Sequence, residues 1–94
     1  MNSKQKFQRN KNIVYREEDD GAFLFNPETG NLKYMNQSGK KAFLMLSEQK
    51  DVKQVINEML GHFADVERPQ IENDLETFLK ELQENEFLSP LNSE

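Results

Sequence analysis

The chain holds few side chains that could do chemistry. Cysteine is absent and His62 is the single histidine. It stands beside apolar Phe63 on a helical stretch. A metal site or proton relay needs several such groups converging, so His62 reads as a helix-end surface or packing residue. Asp19-Asp20-Gly21 invites a calcium reading but lacks the alternating ligand spacing of a calcium loop. It reads as a plain turn. No glycine-rich phosphate loop is present. Glu72, Asp74, Glu76, Glu81 and Glu84 fall opposite an apolar helical stripe, as a solvated face. None shows a partner that would tune it as a general acid. These residues point away from an enzyme and toward backbone hydrogen bonding along an unpaired strand.

That strand belongs to an acidic hairpin running from Ile13 to Met35. Ile13 to Arg16 is rich in β-formers. Glu17 to Gly21 is a charged turn, and Ala22 to Asn26 forms a second strand. Pro27-Glu28-Thr29-Gly30 is a four-residue connection in which proline presets one dihedral and glycine supplies a left-handed one. Asn31 to Met35 is the third strand. The loop length pairs Asn26 with Asn31, Phe25 with Leu32, Leu24 with Lys33, and Phe23 with Tyr34. Alternation puts Phe23, Phe25, Leu32 and Tyr34 on one strongly apolar face, expected to meet the helices. Ala22, Leu24, Lys33 and Met35 form the mixed opposite face. The last strand has no partner beyond it, and an open edge is a hazard unless something uses it.

Three amphipathic helices follow. Asn36 is a suitable N-cap for a helix to about Leu46, with Ala42, Phe43 and Leu46 on its apolar side. Asp51 with Gln54 makes a capping box for a second helix carrying Val52, Val55, Ile56, Met59, Leu60 and Phe63. Pro69 sits in the first turn of a third, whose stripe is Ile71, Leu75, Phe78, Leu79 and Leu82. Phe87 and Leu88 follow the helix end.

Ninety-four residues make one small domain with a modest core. Residues 1–12 carry Lys4, Lys6, Arg9 and Lys11 and no acid, and read as a disordered basic arm. Residues 13–90 are the domain, and 91–94 a flexible tail. After the arm, eight Lys/Arg stand against seventeen Asp/Glu. Such an acidic surface repels phosphate backbones, so no nucleic acid is expected as a partner. No apolar run reaches membrane-spanning length, and a cytoplasmic protein without cofactor is expected.

The ordered set Gly21, Phe23-Leu24-Phe25-Asn26, Thr29-Gly30, Met35-Asn36, Gly39, Phe63 and Asp74-Leu75-Glu76-Thr77-Phe78-Leu79-Lys80-Glu81-Leu82 resembles the PqqD-like family. That family is also known as the recognition element of ribosomally made, post-translationally modified peptides. Met35 replaces a usual leucine, and Phe43-Leu44 stands where a tryptophan is common. The resemblance implies an α+β, winged helix-turn-helix-like fold, with a three-stranded antiparallel sheet before three helices. It also implies a peptide chaperone. Such a protein binds the leader segment of a precursor peptide and presents it to a modifying enzyme, either a radical S-adenosylmethionine maturase or a lasso-peptide protease and cyclase. The leader adds as a fourth strand beside Asn31, Leu32, Lys33, Tyr34 and Met35. It packs against the third helix, with Ile71, Leu75 and Phe78 as the candidate wall and Leu79 and Leu82 as core. A winged-helix nucleic-acid-binding regulator and a structural subunit of a larger complex are the rival readings. A free edge can also pair with a second copy, which leaves a homodimer open.

Overall fold

The computed structural model describes residues 2–62 and 65–91. Phe63 therefore lies outside the described residues, as do Met1 and residues 92–94 of the expected arm and tail. The elements in order are β1 (Lys6–Arg9), β2 (Val14–Glu18), β3 (Gly21–Asn26), β4 (Asn31–Asn36), α1 (Gln37–Ser47), α2 (Val52–His62), α3 (Arg68–Glu84) and β5 (Leu88–Leu91). β2, β3 and β4 make the expected antiparallel sheet, in that order.

The hairpin register follows loop length as anticipated. Asn26 faces Asn31, Phe25 faces Leu32, Leu24 faces Lys33 and Phe23 faces Tyr34. Gly30 takes a positive φ of 79° and donates its N–H to the Asn26 carbonyl at 2.7 Å. The turn before it is tighter than expected. Glu17 and Glu18 belong to β2, and only Asp19-Asp20 connects Glu18 to its partner Gly21. Gly21 is required there, because a Cβ would run into the Met35 carbonyl.

The facing of the sheet is the reverse of the expectation. Ala22, Leu24 and Met35 are buried against the helices, while Phe25, Leu32 and Tyr34 are exposed on the outer side with Val14. Small Ala22 lets α1 pack closely on β3. Tyr15, paired with Leu24, completes the inner face and stacks on Phe43 at 6.1 Å between ring centroids. Asn26 continues that inner face and is 1% exposed. Its amide donates to the carbonyls of Glu86 and Asn85, and its Oδ1 accepts from the Glu28 N–H, so the buried polar group is satisfied.

The amino-terminal arm is also corrected. Residues 6–9 form β1, which pairs antiparallel with β5, and Phe7 is buried. This pairing joins segments far apart in sequence, so no local periodicity announces it. Leu91, placed at the start of a flexible tail, is the last residue of β5.

The helix starts match their signals. Asn36 accepts from the Gly39 N–H at 2.9 Å. Asp51 and Gln54 exchange reciprocal bonds of 2.8 and 2.9 Å. Pro69 stands in the first turn of α3. That helix ends in a Schellman motif: Phe87 N–H bonds Leu82 C=O at 2.8 Å and Glu86 N–H bonds Gln83 C=O at 3.1 Å. The motif turns Phe87 and Leu88 back into the core.

Candidate functional site

The sheet has a free edge at β4 among the described residues. Which backbone groups it offers follows from the turn at its other end. A two-residue turn closes Glu18 and Gly21 as a mutually hydrogen-bonded pair. Along β3 the direction then alternates. Gly21, Phe23 and Phe25 bond toward β2, whereas Ala22, Leu24 and Asn26 bond toward Met35, Lys33 and Asn31 of β4. Leu32 and Tyr34 are therefore left with N–H and C=O groups aimed outward.

Beside this edge runs a groove of ≈ 510 Å³. Lys33, Tyr34, Met35 and Asn36 form its strand side, and Gln70, Ile71, Asp74, Leu75 and Phe78 its α3 side. Ser38, Gly39 and Ala42 of α1, Met59 of α2 and Val66 complete the lining. Six expected binding residues meet here: Lys33, Tyr34, Met35, Ile71, Leu75 and Phe78. Asn31 and Leu32 do not line it, and Leu32 projects from the outer sheet face with 65% exposure. Ile71 and Leu75 are themselves largely buried, so they form the floor rather than an exposed wall. Leu79 and Leu82 lie in the core, as read from the stripe.

Several lining residues escaped the sequence reading. Asp74 and Glu81 are exposed, as a solvated face requires, but they do not lie opposite the groove. Asp74 lines the groove, and Glu81 reaches the sheet. Gly39 carried a signal of sorts: a Cβ there would stand 3.3 Å from the Met35 Cβ and 3.7 Å from the Phe78 ring. Its missing side chain helps to keep the groove open between strand and helix.

The charges are largely internally matched. The Lys33 ammonium meets Glu81 at 2.7 Å and lies 5.7 Å from the Phe78 ring centre. Lys40 pairs with Glu17, and Arg68 with Glu72. The Tyr34 hydroxyl donates to the Asp20 carbonyl at 3.2 Å. Local desolvation first, and the Asp20 charge second, raise the Tyr34 phenol above its ordinary value. No three His, Asp or Glu side chains converge as a metal site among the described residues. None of the described helices is long and apolar enough to cross a membrane.

The family model for coenzyme PQQ synthesis protein D (PqqD) matches residues 21–88. The chain belongs to the PqqD family. The matched span starts at the glycine that opens β3 and ends in β5, so both walls of the groove lie within the PqqD portion. No curated protein matches the chain. Two solved structures share this PqqD fold. One is TbiB1 in complex with the TbiA(beta) leader peptide, with TM-score 0.80 and 24% identity over 92% of this chain and 99% of that one. The other is a lasso peptide synthetase B1 complexed with the leader peptide, with TM-score 0.80 and 21% identity over 90% and 99% of the two chains.

Proposed function

We propose that this protein is a non-catalytic recognition element. It captures the leader segment of a precursor peptide and presents it to a modifying enzyme of peptide natural-product biosynthesis. The observation that carries this reading is the coincidence of a free strand edge with an apolar groove. The β4 edge supplies main-chain donors and acceptors, and across from it Ile71 and Leu75 supply an apolar floor flanked by Phe78. A leader entering as a fourth strand would bond to Leu32 and Tyr34 and send alternate side chains into the groove. Membership of the PqqD family supports it, as does a fold shared with two leader-peptide complexes. A radical S-adenosylmethionine maturase or a lasso-peptide protease and cyclase is the class of enzyme to which the leader would be passed. Nucleic acid is disfavoured by the net charge of −5 and by an α3 whose acids outnumber its bases.

The test is a titration of the labelled leader of a precursor encoded beside this gene. Tyr34→Pro removes one outward N–H while sparing the β3–β4 ladder. Tyr34→Ala controls for the side chain. Folded Tyr34→Pro should bind several-fold more weakly than Tyr34→Ala. Equal affinity for the two would remove strand addition from the proposal. Sedimentation of the free protein reports whether the edge pairs with a second copy instead.

A further inference from the structure

Among the described residues, the charged side chains lining the groove are Lys33 and Asp74. Lys33 is already neutralised by Glu81 at 2.7 Å. Asp74 makes no ion pair or hydrogen bond among the described residues, although it lines the groove between Ile71 and Phe78 on α3. The described lining thus presents one uncompensated negative charge among neutral residues and the paired Lys33.

The surroundings do not cancel that charge. On α3 itself, Arg68 is engaged by Glu72 and by the Asn57 side chain at 2.6 Å. On α1, Lys40 is held by Glu17. Glu81 lies seven residues beyond Asp74, and two helical turns bring both acids onto one stripe of α3. That stripe is the rim above the apolar floor.

Resting on the strand-addition reading above, we infer that Asp74 sets the charge preference of the groove. The bound strand would carry a lysine or arginine at one fixed groove-facing position, flanked by apolar residues that fill the floor. A long basic side chain suits this place. Its methylene stem lies along Leu75 and Ile71 while its cation reaches the rim. A strand bearing an acid at that position meets like-charge repulsion from Asp74. The preference thereby also fixes register, because a slip by one residue along β4 turns the basic side chain out of the groove.

The test is a display selection of random peptides, twice the length of β4, on the full-length protein. Wild type, Asp74→Asn, Asp74→Lys and Tyr34→Pro are run in parallel. On wild type, enriched peptides should align with apolar residues at alternate positions and one position dominated by Lys or Arg. Asp74→Asn should flatten that position and weaken the best basic peptide about two- to fivefold, the scale of one exposed ion pair. Asp74→Lys should turn the preference to Asp and Glu. An unchanged basic position on both variants, or apolar peptides without any charge preference on wild type, overturns the role of Asp74 and leaves strand addition standing. Failure to enrich any peptide, or equal enrichment on Tyr34→Pro, overturns strand addition and the inference with it.

Discussion

Lys33 on the sheet and Glu81 on α3 clasp across one end of the groove at 2.7 Å. The lysine side chain is mostly covered, but Glu81 is about half exposed, so the pair is screened by water. Glu81→Gln should cost under about 1 kcal/mol of stability. It should weaken leader binding more than that, because the strand and helix walls lose the link that fixes their spacing. Chemical denaturation and peptide titration of the same sample separate the two. A stability loss of several kcal/mol would mean that the clasp is structural.

Gly39 offers a direct block of the groove. Its place between Met35 and Phe78 leaves little depth for a side chain. Gly39→Leu should fill that space and reduce peptide binding at least tenfold, while helix propensity compensates part of any strain. Gly39→Ala should do less of both. Leader binding unaffected by leucine would place the peptide elsewhere.

Phe7 tests the amino-terminal strand. A buried phenylalanine cut to alanine typically costs about 3–5 kcal/mol. In a domain of this size each 1 kcal/mol moves the melting temperature by roughly 4–8 °C. Phe7→Ala and removal of residues 2–9 should both lower it by more than about 10 °C. An unchanged melt would show that β1 contributes nothing to the fold.

Glu86 holds the left-handed position of the Schellman motif at φ 61°. Glycine there removes a strain of roughly 1–2 kcal/mol. The more flexible unfolded chain gives back roughly 0.4–1 kcal/mol. Glu86→Gly should therefore raise stability modestly, read as a higher urea midpoint with unchanged slope. A lower midpoint would assign the Glu86 side chain a role that its exposure does not suggest.

Glu17 carries a pH signature. The Tyr15 hydroxyl bond first, and Lys40 second, lower its carboxyl below the ordinary 4.5. With the folded value depressed, the contribution is present above the unfolded pKa and is lost as pH falls through the folded one. Tyr15→Phe should move the Glu17 titration back up toward 4.5, followed by carboxyl-carbon NMR. A titration that stays put would make Lys40 the dominant cause.

The hairpin register and all three helix starts were legible because each rests on local chemistry. Loop length set the pairing, and Asn36, Asp51 and Pro69 marked the starts. The inward face of the sheet was not legible from bulk hydrophobicity. Phe23, Phe25, Leu32 and Tyr34 outweigh Ala22, Leu24, Lys33 and Met35 on any transfer scale, yet the lighter set faces the helices. Close approach decided it. Ala22 leaves room for α1, and Lys33 finds an acid on α3, which a helix-facing lysine needs. Asn26 points the same way, since its amide requires the carbonyls at the end of α3. Pairing of β1 with β5 depends on contacts across nearly the whole chain, so no short window contains it. Asp74 is exposed as read, but its place beside the groove was hidden because a helical stripe has a rim as well as a floor, and the rim is polar by composition alone.

The pairing of Lys6 with Leu91 has an engineering meaning. The two strands that admit and release the chain lie side by side. They neighbour Glu76, Lys80 and Gln83, a flank of α3 turned away from Asp74 and Phe78. A polypeptide could therefore enter and leave this domain as two adjacent threads without crossing the groove. The unit is portable: spliced into a surface loop of an enzyme, or joined end to end and reopened elsewhere, it would keep its cleft unobstructed.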